Sequence, residues 1–198
     1  MKARASISRI GAWTVFLFFF LFAGVQAESV DERLYRALHD AYRSPWMDTW
    51  METTTDLGGV KANLPLCVML STYGEKYEKD TGKLTFTSLV ASAGVVSVLK
   101  WAVGRRRPEG RYERSNSSFP SAHAAAAGAT TTMLAHRYPR YRPAYYALGA
   151  SIAFSRIYLG RHYPSDVLVG WTIGYLGSWW VFTHKEKIFG IKWGWWRR

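Results

Sequence analysis

At 198 residues, with 48% hydrophobic and 16% aromatic residues, the chain is one domain's worth of polymer and more aromatic than a soluble domain needs. Its 26 Lys and Arg against 14 Asp and Glu leave a formal charge of +12, which points to an anionic partner: nucleic acid, acidic lipid or a phosphorylated substrate. The basic residues cluster between apolar runs instead of along a polar face, which argues against nucleic acid and for membrane lipids; a lone cysteine, Cys67, excludes a disulfide framework and a cysteine-rich metal site.

Residues 1–27 open with basic residues, run apolar from Trp13 to Val25, and end on small residues before Glu28. That is the pattern of a signal peptide cleaved after Ala27; an uncleaved first transmembrane helix is the competing reading. Residues 28–56 carry Val30, Leu34, Ala37, Leu38 and Ala41 at helical spacing, so they are expected to lie at the interface as an amphipathic segment divided at Pro45, with His39 on the surface. Five apolar blocks follow, roughly 57–73, 84–103, 121–135, 144–160 and 166–183, each close to the ~20 residues a spanning helix needs. The expected fold is therefore all-α: residues 57–184 form a polytopic membrane helical bundle, with about five or six spanning helices in the whole chain. Residues 185–198 form a basic, aromatic tail suited to an inner-face anchor.

With the chain start inside, fourteen basic residues fall on the inner side and eleven on the outer side, a mild positive-inside bias. Eight of the outer residues lie in or beside three polar clusters at one membrane face: KWAVGRRRP from Lys100, FPSAH from Phe119, and SRIYLGRHYPSD from Ser155. Charged groups at the edge of hydrocarbon are costly unless they pair or bind a ligand, so these clusters mark a functional site. Lys100, Arg107 and Arg156 supply fixed positive charge and multiple donors for a tetrahedral oxyanion, and Ser121 with backbone N–H groups at a helix start adds neutral donors. Phosphate is the natural guest. His162 and Asp166 are four apart, so in a helical turn the carboxylate can accept Nδ1–H and leave Nε2 to attack; His123 is then free to protonate the departing oxygen.

Lys100, six residues, Arg107-Pro108; Pro120-Ser121-x-His123; and Ser155-Arg156, five residues, His162, three residues, Asp166 together resemble the three-part signature of the type 2 phosphatidic acid phosphatase superfamily. That family includes membrane lipid phosphatases, soluble class A acid phosphatases and vanadium haloperoxidases, and the apolar blocks here look like the membrane branch. The resemblance implies a metal-independent enzyme without a cofactor. In it His162 is the nucleophile that forms a phosphohistidine, Asp166 its orienting partner and His123 the general acid, with Lys100, Arg107, Ser121, Ala122 and Arg156 binding the phosphate. Ala122 departs from the glycine usual at that place; its N–H survives, and only a backbone angle reserved for glycine would impair the site.

A lipid phosphate or lipid diphosphate is the expected substrate, with undecaprenyl diphosphate first and phosphatidic acid, phosphatidylglycerophosphate or lipid A as alternatives. A vanadium haloperoxidase and a non-catalytic lipid-binding protein are the competing classes. The expected location is a bacterial inner membrane with the site facing the periplasm. Arg105, Arg106, Arg111, Arg114 and Arg161 flank the motif positions and read as a solvated basic rim or as lipid headgroup contacts.

Overall fold

A computed structural model describes residues 28–40, 43–110 and 113–190. The signal peptide or first helix, Arg111 and the end of the tail from residue 191 lie outside the described residues. Eight α-helices account for most of the described chain: α1 Glu28–Asp40, α2 Pro45–Leu57, α3 Val60–Tyr73, α4 Lys76–Val103, α5 Ala122–Arg137, α6 Arg142–Tyr158, α7 Pro164–Thr183 and α8 Lys185–Phe189. The all-α class is as expected, and α3 to α7 coincide with the five apolar blocks.

The largest shift from expectation is at α4, which starts at Lys76, two turns before its apolar block. Its polar first turns are held by tertiary contacts instead of apolar periodicity. The buried Arg137 of α5 donates from Nε to Thr81 Oγ1 at 2.8 Å and from Nη2 to the Tyr77 carbonyl at 2.9 Å, with its guanidinium 3.6 Å from the Tyr77 ring centre. Among the described residues α4 is the one helix both long and apolar enough to cross a membrane. At 1.5 Å per residue it reaches about 42 Å, whereas α5 reaches about 24 Å.

Helix α5 is the centre of the bundle, packed by α4, α6 and α7. Its sequence, AHAAAAGATTTMLAHR, is dense in small residues, and so is the facing stripe of α7. A Cβ on Gly170 would lie 2.3 Å from the Ser121 carbonyl oxygen, and one on Gly174 would lie 2.0 Å from that of Ala125. Only glycine permits this approach, which presses the start of α7 onto the start of α5. Leu84, Met133, Val181 and Phe182 fill the far end of the bundle; Ala124, Ala153, Ile157 and Val167 fill the near end, with Tyr35, Leu38 and Trp171 against them.

Helix α1 turns Asp31, Tyr35 and Leu38 toward the bundle while Val30 and Leu34 are about half exposed. The apolar positions at helical spacing thus divide between two faces, and a carboxylate occupies the inner one. His39 is not a free surface histidine: its Nδ1 lies 2.7 Å from the Tyr158 carbonyl, and its ring stacks on Tyr35.

Candidate active site

The three polar clusters converge on one cavity of about 1110 Å³. Its wall contains Lys100 from the last turn of α4, Arg107 from the following loop, Ala122 and His123 from the first turn of α5, Arg156 from the last turn of α6, and His162 from the α6–α7 loop. Six of the eight residues expected at the site are therefore brought together here.

Each cation is anchored by protein oxygens. Lys100 is 7% exposed, and its Nζ donates to the Ser117 carbonyl, while Ser117 Oγ returns a bond to the Lys100 carbonyl at 2.9 Å. Arg107 donates from Nη2 to Asn116 Oδ1 at 2.7 Å. Arg156 donates from Nη1 to Thr55 Oγ1 at 2.7 Å, and its buried Nε has no partner among the described residues. Three cations thus stand in one wall, beside the carboxylates Glu52, Asp56, Glu109 and Glu113 that line the same cavity, and offer several N–H donors to an anion.

His162 is 1% exposed. Its Nδ1 lies 2.8 Å from the Ser118 carbonyl, which fixes Nδ1 as the protonated nitrogen and leaves the Nε2 lone pair to the cavity. Burial pushes its pKa down to about 4, with Asp166 opposing the shift and Arg156 adding to it. At neutral pH the ring is uncharged. Gly160, with φ +71°, turns the chain so that the loop can deliver this ring, and Pro164 then starts α7.

Asp166 lies beside His162 as expected, but at ion-pair distance instead of in a direct hydrogen bond. The helix begins at Pro164, after His162, so the two residues do not share a helical turn, and Asp166 Oδ2 is 3.8 Å from His162 Nδ1. The carboxylate instead accepts from the Tyr163 N–H at 2.9 Å, from Ser118 Oγ, and from Arg105 Nη1 at 2.9 Å. Besides its approach to the ring, Asp166 grips the hydroxyl of Ser118, the residue whose carbonyl takes Nδ1–H.

Ser121 is set back from the cavity wall. It is fully buried, does not line the cavity, and its Oγ caps α5 by accepting from the Ala124 N–H at 3.4 Å. Ala122 has no positive φ, so the glycine usual at that place is not required here and its N–H remains at the cavity wall.

The basic rim also resolves residue by residue. Arg105 is not solvated but bridges Asp31 and Asp166. Arg161 pairs with Glu109 at 3.0 Å on the cavity wall, and Arg114 lies over the Trp101 ring and donates to the Trp101 carbonyl. Sequence reasoning did not find Ser118, Asn116, Thr55 or Asp31. The SNSS run before Phe119 carries no pattern that marks one serine over its neighbours, but Asp31 lay four and seven residues from Tyr35 and Leu38 and so on their helix face.

A second hollow, of about 350 Å³, adjoins the first and shares Lys100, Ala122 and His123 with it. Beyond those three it runs apolar between α3, α4 and α5, past Leu64, Phe86 and Val90.

The comparisons with known proteins agree with this geometry. The family model described as PAP2 superfamily matches residues 82–189. The lipid A 1-phosphatase of Rhizobium etli is 34% identical over 105 residues, 47% of this chain and 45% of that protein, so the match spans less than half of the relative's length. Phosphatidylglycerophosphatase B of Bacillus subtilis is 30% identical over 193 residues, 88% of this chain and 95% of that protein. The crystal structure of a transmembrane PAP2-type phosphatidylglycerolphosphate phosphatase from Bacillus subtilis superposes with a TM-score of 0.73 at 28% identity, covering 90% of this chain and 98% of that one. The family model, the near full-length relative and the convergence of all three motifs on one cavity carry the same conclusion: the chain belongs to the PAP2 superfamily.

Proposed function

We propose that the protein is a metal-independent phosphatase that hydrolyses a lipid phosphate or lipid diphosphate through a phosphohistidine. The observation that carries this reading is the placement of an uncharged His162, three anchored cations and His123 in one cavity that opens into an apolar hollow.

In the first step His162 Nε2 attacks phosphorus in line and forms the P–N bond as the bond to the lipid oxygen breaks. His123, on the same cavity wall, is protonated when the anionic phosphate is bound; it donates that proton to the leaving oxygen and becomes neutral. Lys100, Arg107, Arg156 and the Ala122 N–H face the equatorial oxygens, where charge accumulates; one such donor accounts for roughly 3 kcal/mol of transition-state stabilisation. Water then attacks the phosphohistidine, His123 takes its proton, the P–N bond breaks, and phosphate leaves. The Ser118 carbonyl holds Nδ1–H throughout, and Asp166 holds Ser118 and opposes the positive charge on the ring.

The apolar hollow supports a lipid over a water-soluble ester, since its entrance meets the phosphate site at Lys100 and His123. Exposed apolar side chains on α3, α4 and α7, among them Val60, Val98 and Leu168, support a bundle of five such helices in lipid, with the cavity at the outer face of a bacterial inner membrane. Undecaprenyl diphosphate is the first substrate to try, because it presents a phosphate chain at that face; the relatives' names add lipid A and phosphatidylglycerophosphate.

The test is phosphate release by purified protein in detergent with EDTA present. The panel is undecaprenyl diphosphate, phosphatidic acid, phosphatidylglycerophosphate and lipid A, each beside His162→Ala. The expected result is release that survives EDTA and is lost in the variant. No release from any lipid would refute the assignment and turn attention to vanadate-supported halide oxidation.

A further inference from the structure

Asp31 lies on α1, 5% exposed and away from the cavity wall. Its Oδ2 accepts from Arg105 Nη2 at 2.8 Å and from Ser165 Oγ, and its Oδ1 accepts from the Ser165 N–H at 3.0 Å. Arg105 in turn donates from Nη1 to Asp166 Oδ1 at 2.9 Å and to Ser165 Oγ at 2.8 Å, with its guanidinium 4.0 Å from the Tyr163 ring centre. One guanidinium thus spans two buried carboxylates, one on the amphipathic helix and one in the first turn of α7. Two further contacts fasten α1 to the same loop: His39 Nδ1 at the Tyr158 carbonyl and the Tyr35 ring edge-on to Tyr163. The clamp therefore grips the loop on both sides of His162.

We propose that Asp31 and Arg105 are positioning residues for the reaction, and that α1 is the clamp that holds the His162 loop in its reactive geometry. The inference rests on His162 being the nucleophile. Its physical basis is charge. When Nε2 bonds phosphorus the imidazole becomes positive, and Asp166, 3.8 Å from Nδ1, is the carboxylate that offsets that charge. Arg105 alone would draw the same carboxylate away and add a second positive charge nearby; Asp31 neutralises Arg105 and leaves Asp166 for the ring. A buried ion pair returns little net stability by itself, so three charged groups buried beside the nucleophile fit an orienting role better than a stabilising one. None of Asp31, Arg105 and Ser165 lines the cavity, so the effect falls on the transition state and not on substrate binding.

The experiment compares full-length wild type with Asp31→Asn and Ser165→Ala in detergent. Asp31→Asn keeps shape and removes charge; it is expected to lower kcat at least tenfold and leave KM within twofold. Ser165→Ala removes one hydroxyl of the clamp and is expected to lower kcat two- to fivefold with the same split. Calorimetry gives a readout without turnover. Orthovanadate, which adopts the five-coordinate geometry with Nε2 as an apical ligand, should bind Asp31→Asn at least tenfold more weakly, while inorganic phosphate binds as in wild type. An unchanged kcat in Asp31→Asn overturns the proposal, as does a loss shared by kcat, phosphate and vanadate affinity, the pattern of simple unfolding. Should Asp31→Asn fail to fold, an unchanged kcat in Ser165→Ala overturns it. Wild type that neither releases phosphate nor binds vanadate refutes the phosphatase reading itself; active wild type with an indifferent Asp31 refutes the clamp alone.

Discussion

Gly170 presses on the backbone of Ser121, the residue before Ala122 on the cavity wall, and replacing Gly170 by alanine tests the link between helix packing and chemistry. The new Cβ would stand 2.3 Å from the Ser121 carbonyl oxygen and 3.2 Å from its N and C atoms, where ordinary contact begins at 3.4 Å. The start of α5 must therefore move by about 1 Å, because the obstacle is backbone and has no rotamer to escape into. Overpacking of this kind costs about 1–3 kcal/mol, and the better helix propensity of alanine returns about 1 kcal/mol, so the net destabilisation is at most about 2 kcal/mol. Function suffers more. Ser121 caps α5 two residues before His123 and donates its N–H to the Asp166 carbonyl at 2.9 Å, so the shift reaches both His123 and the residue beside His162. A misplacement of ~1 Å is expected to cost about a hundredfold in kcat. The assay is phosphate release beside thermal unfolding followed by tryptophan fluorescence, with Gly94→Ala as control. A Cβ on Gly94 meets nothing within 4 Å, so that variant should keep full activity and gain up to about 1 kcal/mol. Wild-type kcat in Gly170→Ala would refute the claim that this helix crossing sets the site.

The buried, uncharged His162 predicts a pH dependence of stability. Its folded pKa of about 4 lies below the ordinary value of 6.5, so between those values the unfolded chain binds more protons. The resulting stability is fully present above pH 6.5 and lost as pH falls toward 4; it amounts to about 3 kcal/mol, and His162→Gln should flatten that part of the melting-temperature profile. Arg156→Lys keeps the charge but loses the two-pronged donor, and should lower kcat about a hundredfold in phosphate release assays. Thr55→Val removes only the hydroxyl that anchors Arg156, a charge-assisted bond of about 2 kcal/mol, and should cost about thirtyfold in the same assay. Ala93→Trp fills the apolar hollow, so it should raise KM for a long-chain lipid phosphate at least tenfold and spare hydrolysis of p-nitrophenyl phosphate. Equal loss on both substrates would show that the hollow does not hold the chain.

The five apolar blocks and the three polar clusters were legible in the primary sequence because both follow from solvent. A run of apolar residues long enough to reach across the bundle must be helical to satisfy its own backbone, and cations between such runs need an anion. The same local logic misjudged α4, whose polar first turns are helical because Arg137 from another helix takes their carbonyl and hydroxyl groups. It also divided α1 wrongly: an apolar count favours Val30 and Leu34, whereas the bundle takes the face that carries Asp31.

What the sequence by itself determined is the inventory: the all-α class, the family, and the identity of His162, His123, Lys100, Arg107 and Arg156 as the groups that meet. Spacing along the chain suffices for these, since each motif sits where an apolar block ends or begins. Only the tertiary structure decided how those groups are held. That Asp166 holds the hydroxyl of Ser118, that the Ser118 carbonyl takes His162 Nδ1, and that Arg105 turns inward to Asp31 all depend on contacts between residues 44 to 74 apart. A hydrogen bond selects one donor from several equivalent neighbours by distance and direction, and neither is written in the order of residues along the chain.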